Sequence, residues 1–236
     1  PENLIVSCTS ETDGLEAVKK ELQALKACLN TLPVPERTRT EELLKRPVKR
    51  EGIKTPSAVQ YVARAGHIKK YYGTYRILKV ILSYDYLWIN LRVKGGAYGC
   101  MSGFKRNGES FLVSYRDPHL KRTLEVYQGV PDYIRAFEAD EREMTKYIIG
   151  TISNKDVPRT PQMQGSISKT AYFSNVTEDM LQKERNQILG AQKEDIQKLA
   201  ALVEAVLSDD QICVVGSETA IEKAEDVFME VKPLIG

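Results

Sequence analysis

Arg92-Val93-Lys94-Gly95-Gly96-Ala97-Tyr98-Gly99 joins two elements whose periods differ, and that change of period decides the fold class. Before it, Ile77, Ile81, Tyr84, Trp88 and Leu91 recur at helical spacing over residues 73–93, and Leu78, Leu82 and Leu87 broaden the stripe. The run is too long for a strand and predicts a helix buried on most of its surface. Gly95-Gly96 supplies the left-handed stop that such a helix needs. After it, Asn107-Gly108 suits a two-residue type I′ turn between strands at 97–106 and 109–116. Counting back from that turn puts Arg106 opposite Glu109 and Phe104 opposite Phe111. Arg92 therefore ends a buried helix, Tyr98 starts a strand, and a glycine turn brings the two close.

Working outward, residues 4–9 (Leu-Ile-Val-Ser-Cys-Thr) read as a short strand. Asp13-x-x-Glu16 has the form of a capping box and opens a helix through Leu15, Val18, Leu22, Leu25 and Leu29. Residues 31–56 carry Pro33, Pro35, Pro47 and Pro56 with Lys45, Arg46, Lys49 and Arg50, and read as an internal Pro-rich basic loop. A patch that anchors an acidic partner is the other reading of that stretch. A strand is expected at 57–65. Downstream of the hairpin, Pro118 suits the first position of a helix, with a break near Gly129-Val130-Pro131. Asp140-x-x-Glu143 caps a further helix, closed at Asp156-Val157-Pro158. Helices follow over 161–173, from Thr177, and over 193–207. Then come a strand at 211–216 and a last helix at 221–231. Few strands and many helices predict an α+β fold in which a mixed or antiparallel sheet packs against several helices, with residues 1–236 as one domain.

The chain has 236 residues, Lys+Arg 34 against Asp+Glu 32 and a net charge of +2, so no global field draws it to nucleic acid or an anionic membrane. No charge-free apolar run is long enough to span a bilayer. Pro1-Glu2-Asn3-Leu4 lacks a basic n-region and an initiator Met, and reads as a cut point. Cys8, Cys28, Cys100 and Cys213 are scattered, which suits a reducing compartment. His67 and His119 are the only histidines, and neither lies in a metal-binding pattern. A Cys100 nucleophile served by His67 or His119 has no local signature behind it. Gly99-Cys100-Met101-Ser102-Gly103 puts its serine in the wrong place for a nucleophile elbow. Tyr71, Tyr72 and Tyr75 with Lys69, Lys70 and Arg76 are read as a helix beginning beside a sheet rather than a nucleic-acid surface.

The glycine turn, followed by a hairpin and Ser114-Tyr115-Arg116-Asp117-Pro118, resembles the C-terminal part of the presequence proteases. These are zinc metallopeptidases of the pitrilysin–insulinase (inverzincin) superfamily, and the resemblance covers most of the chain. It implies the last of several pitrilysin-like α+β domains in a larger peptidase that degrades short unfolded peptides. It implies that the zinc and its H-x-x-E-H motif belong to the N-terminal half, leaving no metal site or cofactor in this chain and no activity in the chain alone. It also implies that Arg92 and Tyr98 are lent to the distant catalytic site, where they contact the scissile region and the developing oxyanion. Gly95 and Gly96 support the turn. The implied partners are the N-terminal half of the same polypeptide and peptide substrates, with neither nucleic acid nor membrane. A bacterial cytoplasmic location is expected, with mitochondrial matrix or plastid as alternatives. The rival function is a non-catalytic scaffold or partner-binding domain that keeps only a protease-derived fold. Without the resemblance, Arg92 could equally sit against the negative end of its helix, and Tyr98 could be an ordinary strand aromatic.

Overall fold

The computed structural model describes residues 4–29 and 49–234. They fall into two compact units. Residues 4–29 with 156–181 form the smaller, which holds α1 (Thr12–Cys28), α6 (Pro161–Phe173) and the first residues of α7 (Glu178–Leu189). None of its described residues is buried. The expected strand at Leu4–Thr9 is absent: Leu4, Ile5 and Val6 are exposed non-regular chain with no neighbouring strand to complete a ladder. The helix at α1 is present, but it starts after Glu11 with no side-chain cap, so Asp13 lies inside its first turn.

The larger unit, 49–155 with 182–234, carries a six-stranded sheet in the order β3-β4-β2-β5-β1-β6. The strands are β1 (Arg50–Thr55), β2 (Gln60–His67), β3 (Gly99–Phe104), β4 (Glu109–Asp117), β5 (Gln211–Ser217) and β6 (Glu230–Pro233). From β3 to β5 the pairs are antiparallel, and β1 pairs in parallel with both β5 and β6. The sheet is mixed, with helices packed against it, as expected.

Two strands lie where none was expected. β1 occupies the end of the stretch read as a basic loop, whose earlier part lies outside the described residues. Arg-Glu-Gly-Ile-Lys-Thr hides its strand character because charged side chains alternate with a single isoleucine. The ladders on both sides hold it, and Glu51 pairs with Lys49 and Lys232 while Lys54 pairs with Glu218 and Glu222. The last helix is shorter than predicted. It covers only Glu218–Glu222, and the chain returns through a 3-10 turn at Glu225–Val227 to form β6 on the open edge of β1. Pro233 is tolerated there because an edge strand leaves one side unpaired.

The long apolar run is helical from Thr74 to Val93, in three parts. α2 (Thr74–Ile81) continues into two π-helical segments, Leu82–Tyr86 and Trp88–Val93. Ile77, Leu78, Ile81, Leu82 and Leu87 are fully buried and Leu91 nearly so. Tyr84 and Trp88, read as part of the buried stripe, are exposed instead. The wider π turns shift the phase of the helix relative to a 3.6-residue period.

The hairpin register also differs. Lys105 N–H donates to Glu109 O (2.9 Å) and Gly108 N–H to Lys105 O (3.0 Å), with Gly108 at φ +94°. The loop therefore has three residues, closed by a left-handed glycine. Phe104 faces Ser110, Gly103 faces Phe111, and Lys105, not Arg106, bonds Glu109 (2.9 Å). Arg106 is thereby freed to reach Glu184, a buried carboxylate on α7 that also takes Arg76 Nε (2.6 Å) and Lys155 Nζ (2.8 Å). Tyr75 is buried against Phe104 with ring centres 5.0 Å apart, so the tyrosine cluster before α2 serves the core. α5 (Glu141–Lys155) has the expected capping box: Glu143 N–H donates to Asp140 and Asp140 N–H to Glu143.

Candidate functional site

The helix ends as the sequence demands, one residue wider than usual. Lys94 N–H donates to Ile89 O, continuing the π pattern. Gly96 N–H donates to Arg92 O (2.9 Å), nested inside a bond from Ala97 N–H to Leu91 O (2.9 Å). This pair resembles a Schellman cap widened by the π turn. Gly96 takes the left-handed conformation, at φ +77°. Gly95 is buried, and a Cβ built on it would lie 2.4 Å from the Leu91 carbonyl oxygen. The reversal delivers Tyr98 to the edge of the sheet, where its N–H donates to Arg116 O (3.2 Å).

Arg92 and Tyr98 are brought together. The Arg92 guanidinium carbon lies 4.2 Å from the centre of the Trp88 ring and 5.8 Å from that of Tyr98. Tyr98 is 57% exposed. Two residues absent from the sequence-based site complete the group. Tyr115 lies beside Tyr98 with ring centres 5.6 Å apart, and the Arg116 guanidinium carbon sits 5.6 Å from the Tyr98 ring centre. Arg116 is one of three non-glycine residues with positive φ (+50°) among the described residues. The sequence signal for both residues is Tyr115-Arg116-Asp117-Pro118, whose likeness to a family does not reveal the contact with Tyr98. Asp117 is buried: it accepts from the His119 N–H (2.9 Å) and the Thr123 hydroxyl (2.7 Å), and so ties the end of β4 to the start of α3 (Lys121–Gln128).

Chemically, the cluster offers an exposed tyrosine whose ring is approached by two guanidiniums. It can donate hydrogen bonds to a carbonyl or an anionic oxygen; it contains no base and no nucleophile. Burial pushes the Cys100 thiol up to about 11, against the opposing charge of Arg92. No hydrogen bond joins Cys100 to His67 or His119 among the described residues. Nor do those residues contain a group of three His, Cys, Asp or Glu placed to hold a metal ion. A cleft of about 420 Å³ lies at the other end of the long helix, lined by Tyr72, Thr74, Gln187, Lys198 and Leu202, and takes no part in this cluster. No helix among the described residues is long and apolar enough to cross a membrane.

A family model described as the PreP C-terminal domain matches residues 50–218. "Protein HypA" of Clostridium perfringens is 42% identical over 99% of this chain and 24% of its own length. "Presequence protease 1, chloroplastic/mitochondrial" of Arabidopsis thaliana is 33% identical over 79% of this chain and 18% of its own. The chain thus spans about a quarter or less of these relatives. Among solved structures, a Helicobacter pylori protease superposes with TM-score 0.59 at 14% identity, covering 87% of this chain and 52% of that one. A peptidase M16 inactive domain from Pseudomonas fluorescens gives 0.55 at 17%, covering 80% and 44%. At such identities the likeness concerns the fold, which is that of M16 peptidase domains.

Proposed function

This chain belongs to the presequence protease (PreP) C-terminal domain family, and from that premise we propose that it is the non-zinc-binding C-terminal domain of a zinc-dependent oligopeptidase that degrades short unfolded peptides. The rest of the same polypeptide is its partner, and the zinc resides there. This domain closes the chamber and lends Arg92 and Tyr98 to a composite site. The Tyr98 hydroxyl donates a hydrogen bond to the scissile carbonyl oxygen as negative charge gathers on it, and Arg92 grips a neighbouring substrate carbonyl. Both act as preorganised donors: Trp88 braces the Arg92 guanidinium, and the glycine turn fixes the approach of helix end to strand. The observation that carries the reading is the exposed Tyr98, whose ring two guanidiniums approach beside that turn. Bacterial cytoplasm is the proposed location, and the Clostridium relative that matches nearly the whole chain supports the bacterial part of that reading.

Tyr98→Phe in the full-length polypeptide tests this. Loss of one transition-state donor lowers kcat about 100-fold with little change in KM. Unchanged turnover overturns the catalytic role and favours the scaffold alternative. The chain alone should neither bind stoichiometric zinc nor cleave peptide.

A further inference from the structure

Arg116 and Arg92 approach the same Tyr98 ring, at 5.6 and 5.8 Å. Neither forms an ion pair with a carboxylate among the described residues, and the same holds for Lys94 and Arg122, whose Nη1 donates to the Lys94 carbonyl (3.1 Å). Five other arginines are matched: Arg50 and Arg64 with Asp210, Arg76 and Arg106 with Glu184, Arg135 with Asp132 and Glu204. The neighbouring carboxylate, Asp117, is buried and committed to His119 and Thr123. In a chain of net charge +2, these four cations, without a carboxylate partner among the described residues, form a local positive patch around one glycine turn. Arg116 is held in a left-handed conformation, a strained state for a non-glycine residue that persists where its surroundings over-determine it. Here the Tyr98 N–H bond to its carbonyl is one such constraint.

We propose that Arg116 is a specificity-determining residue that, with Arg92, binds a carboxylate of the peptide substrate beside Tyr98. Like charges gathered around one ring repel, and an anionic occupant relieves the repulsion. A guanidinium fork matches carboxylate geometry with two parallel hydrogen bonds, and it is weakly hydrated enough to leave an aromatic face for that partner. The inference rests on the composite-site reading above and names the substrate chemistry that the site selects. The carboxylate is either the free C-terminus of a short peptide or an acidic side chain near the cleavage point.

Quenched fluorescent peptides of one core sequence, assayed with the full-length polypeptide, separate the two sources. One pair differs by C-terminal acid against amide, the other by Glu against Gln next to the scissile bond. In the wild type, the carboxylate member of one pair has a KM about tenfold lower, and the advantage shrinks in 0.5 M salt. Arg116→Gln collapses that advantage, and Arg116→Lys keeps part of it. Equal KM within both wild-type pairs overturns the inference without reference to any variant's folding, as does an advantage that survives Arg116→Gln. Tyr98→Phe on the same peptides keeps the two readings apart. Its failure to lower kcat, with the carboxylate advantage present, removes the catalytic role alone. Equal KM with a large Tyr98→Phe effect removes carboxylate selection alone.

Discussion

The Arg92 guanidinium lies over the face of the Trp88 ring, 4.2 Å from its centre, within one π-helical segment. A cation held on an aromatic face contributes about 0.5–2 kcal/mol. Trp88 is 39% exposed and does not belong to the buried core. Trp88→Leu in the full-length polypeptide should lower kcat/KM roughly 3- to 10-fold. The melting temperature of the 236-residue chain should hardly move. An unchanged kcat/KM would mean that Arg92 is positioned by something else.

Glu184 links three cations, and its removal should be felt in stability. Burial pushes its carboxyl up, but the hydrogen bond and charge of Lys155 and the charges of Arg76 and Arg106 outweigh this and leave it below the usual carboxylate range. Breaking a buried charge cluster by removing one sign costs roughly 3 kcal/mol, and somewhat less here because Arg76 is half exposed. Urea denaturation of Glu184→Gln at pH 7 should show that loss. A folded-state pKa below the unfolded one contributes stability that is present above about pH 4.3 and is lost as pH falls through the folded value. The gap between wild type and variant should therefore close on acidification below that point. A gap independent of pH would refute the electrostatic account.

The two glycines of the turn should respond unequally. Gly96→Ala meets only Pro118 Cγ at 3.6 Å, so its penalty is the left-handed φ, about 1 kcal/mol. Gly95→Ala forces a Cβ to 2.4 Å from a backbone oxygen, which moves the helix end itself. Thermal melts should rank Gly95→Ala lower by at least several degrees. The reverse order would mean that the turn is looser than its bonds indicate.

Thiol labelling should divide the cysteines in two. Cys8 and Cys28 are exposed, whereas Cys100 and Cys213 lie in strands with their pKa values raised by burial. At pH 8 the native chain should react rapidly at two positions, and labelling of Cys100 should rise only as pH approaches about 11. Fast labelling of Cys100 near neutrality would reopen the nucleophile reading rejected above.

The helix at 73–93, the hairpin and the caps at Asp140 and Gly96 were legible because each rests on local physics. A buried helix needs a periodic apolar face, a tight turn needs a residue tolerant of positive φ, and a helix start needs acceptors. The closeness of Arg92 to Tyr98 followed from that same local geometry. Their roles came from likeness to a family, since an arginine and a tyrosine near a turn do not by themselves specify chemistry.

What the sequence could not settle depended on partners distant along the chain. Arg50–Thr55 and Glu230–Pro233 became strands because β5 and then β1 offered unpaired backbone groups, a reward that composition does not record. Leu4–Thr9, stronger by composition, found no such edge. The one-residue change in the hairpin loop moved Arg106 away from Glu109 and onto Glu184, a residue 78 positions later. The π turns rotated Trp88 out to meet Arg92, and the left-handed Arg116 swung a second guanidinium to Tyr98. Sequence alone determined which stretches must be helix, hairpin and turn, because their backbone preferences are satisfied within a few residues. Tertiary structure decided the sheet edges, the ion cluster at Glu184 and the second cation of the site, because only the folded chain brings their partners within reach.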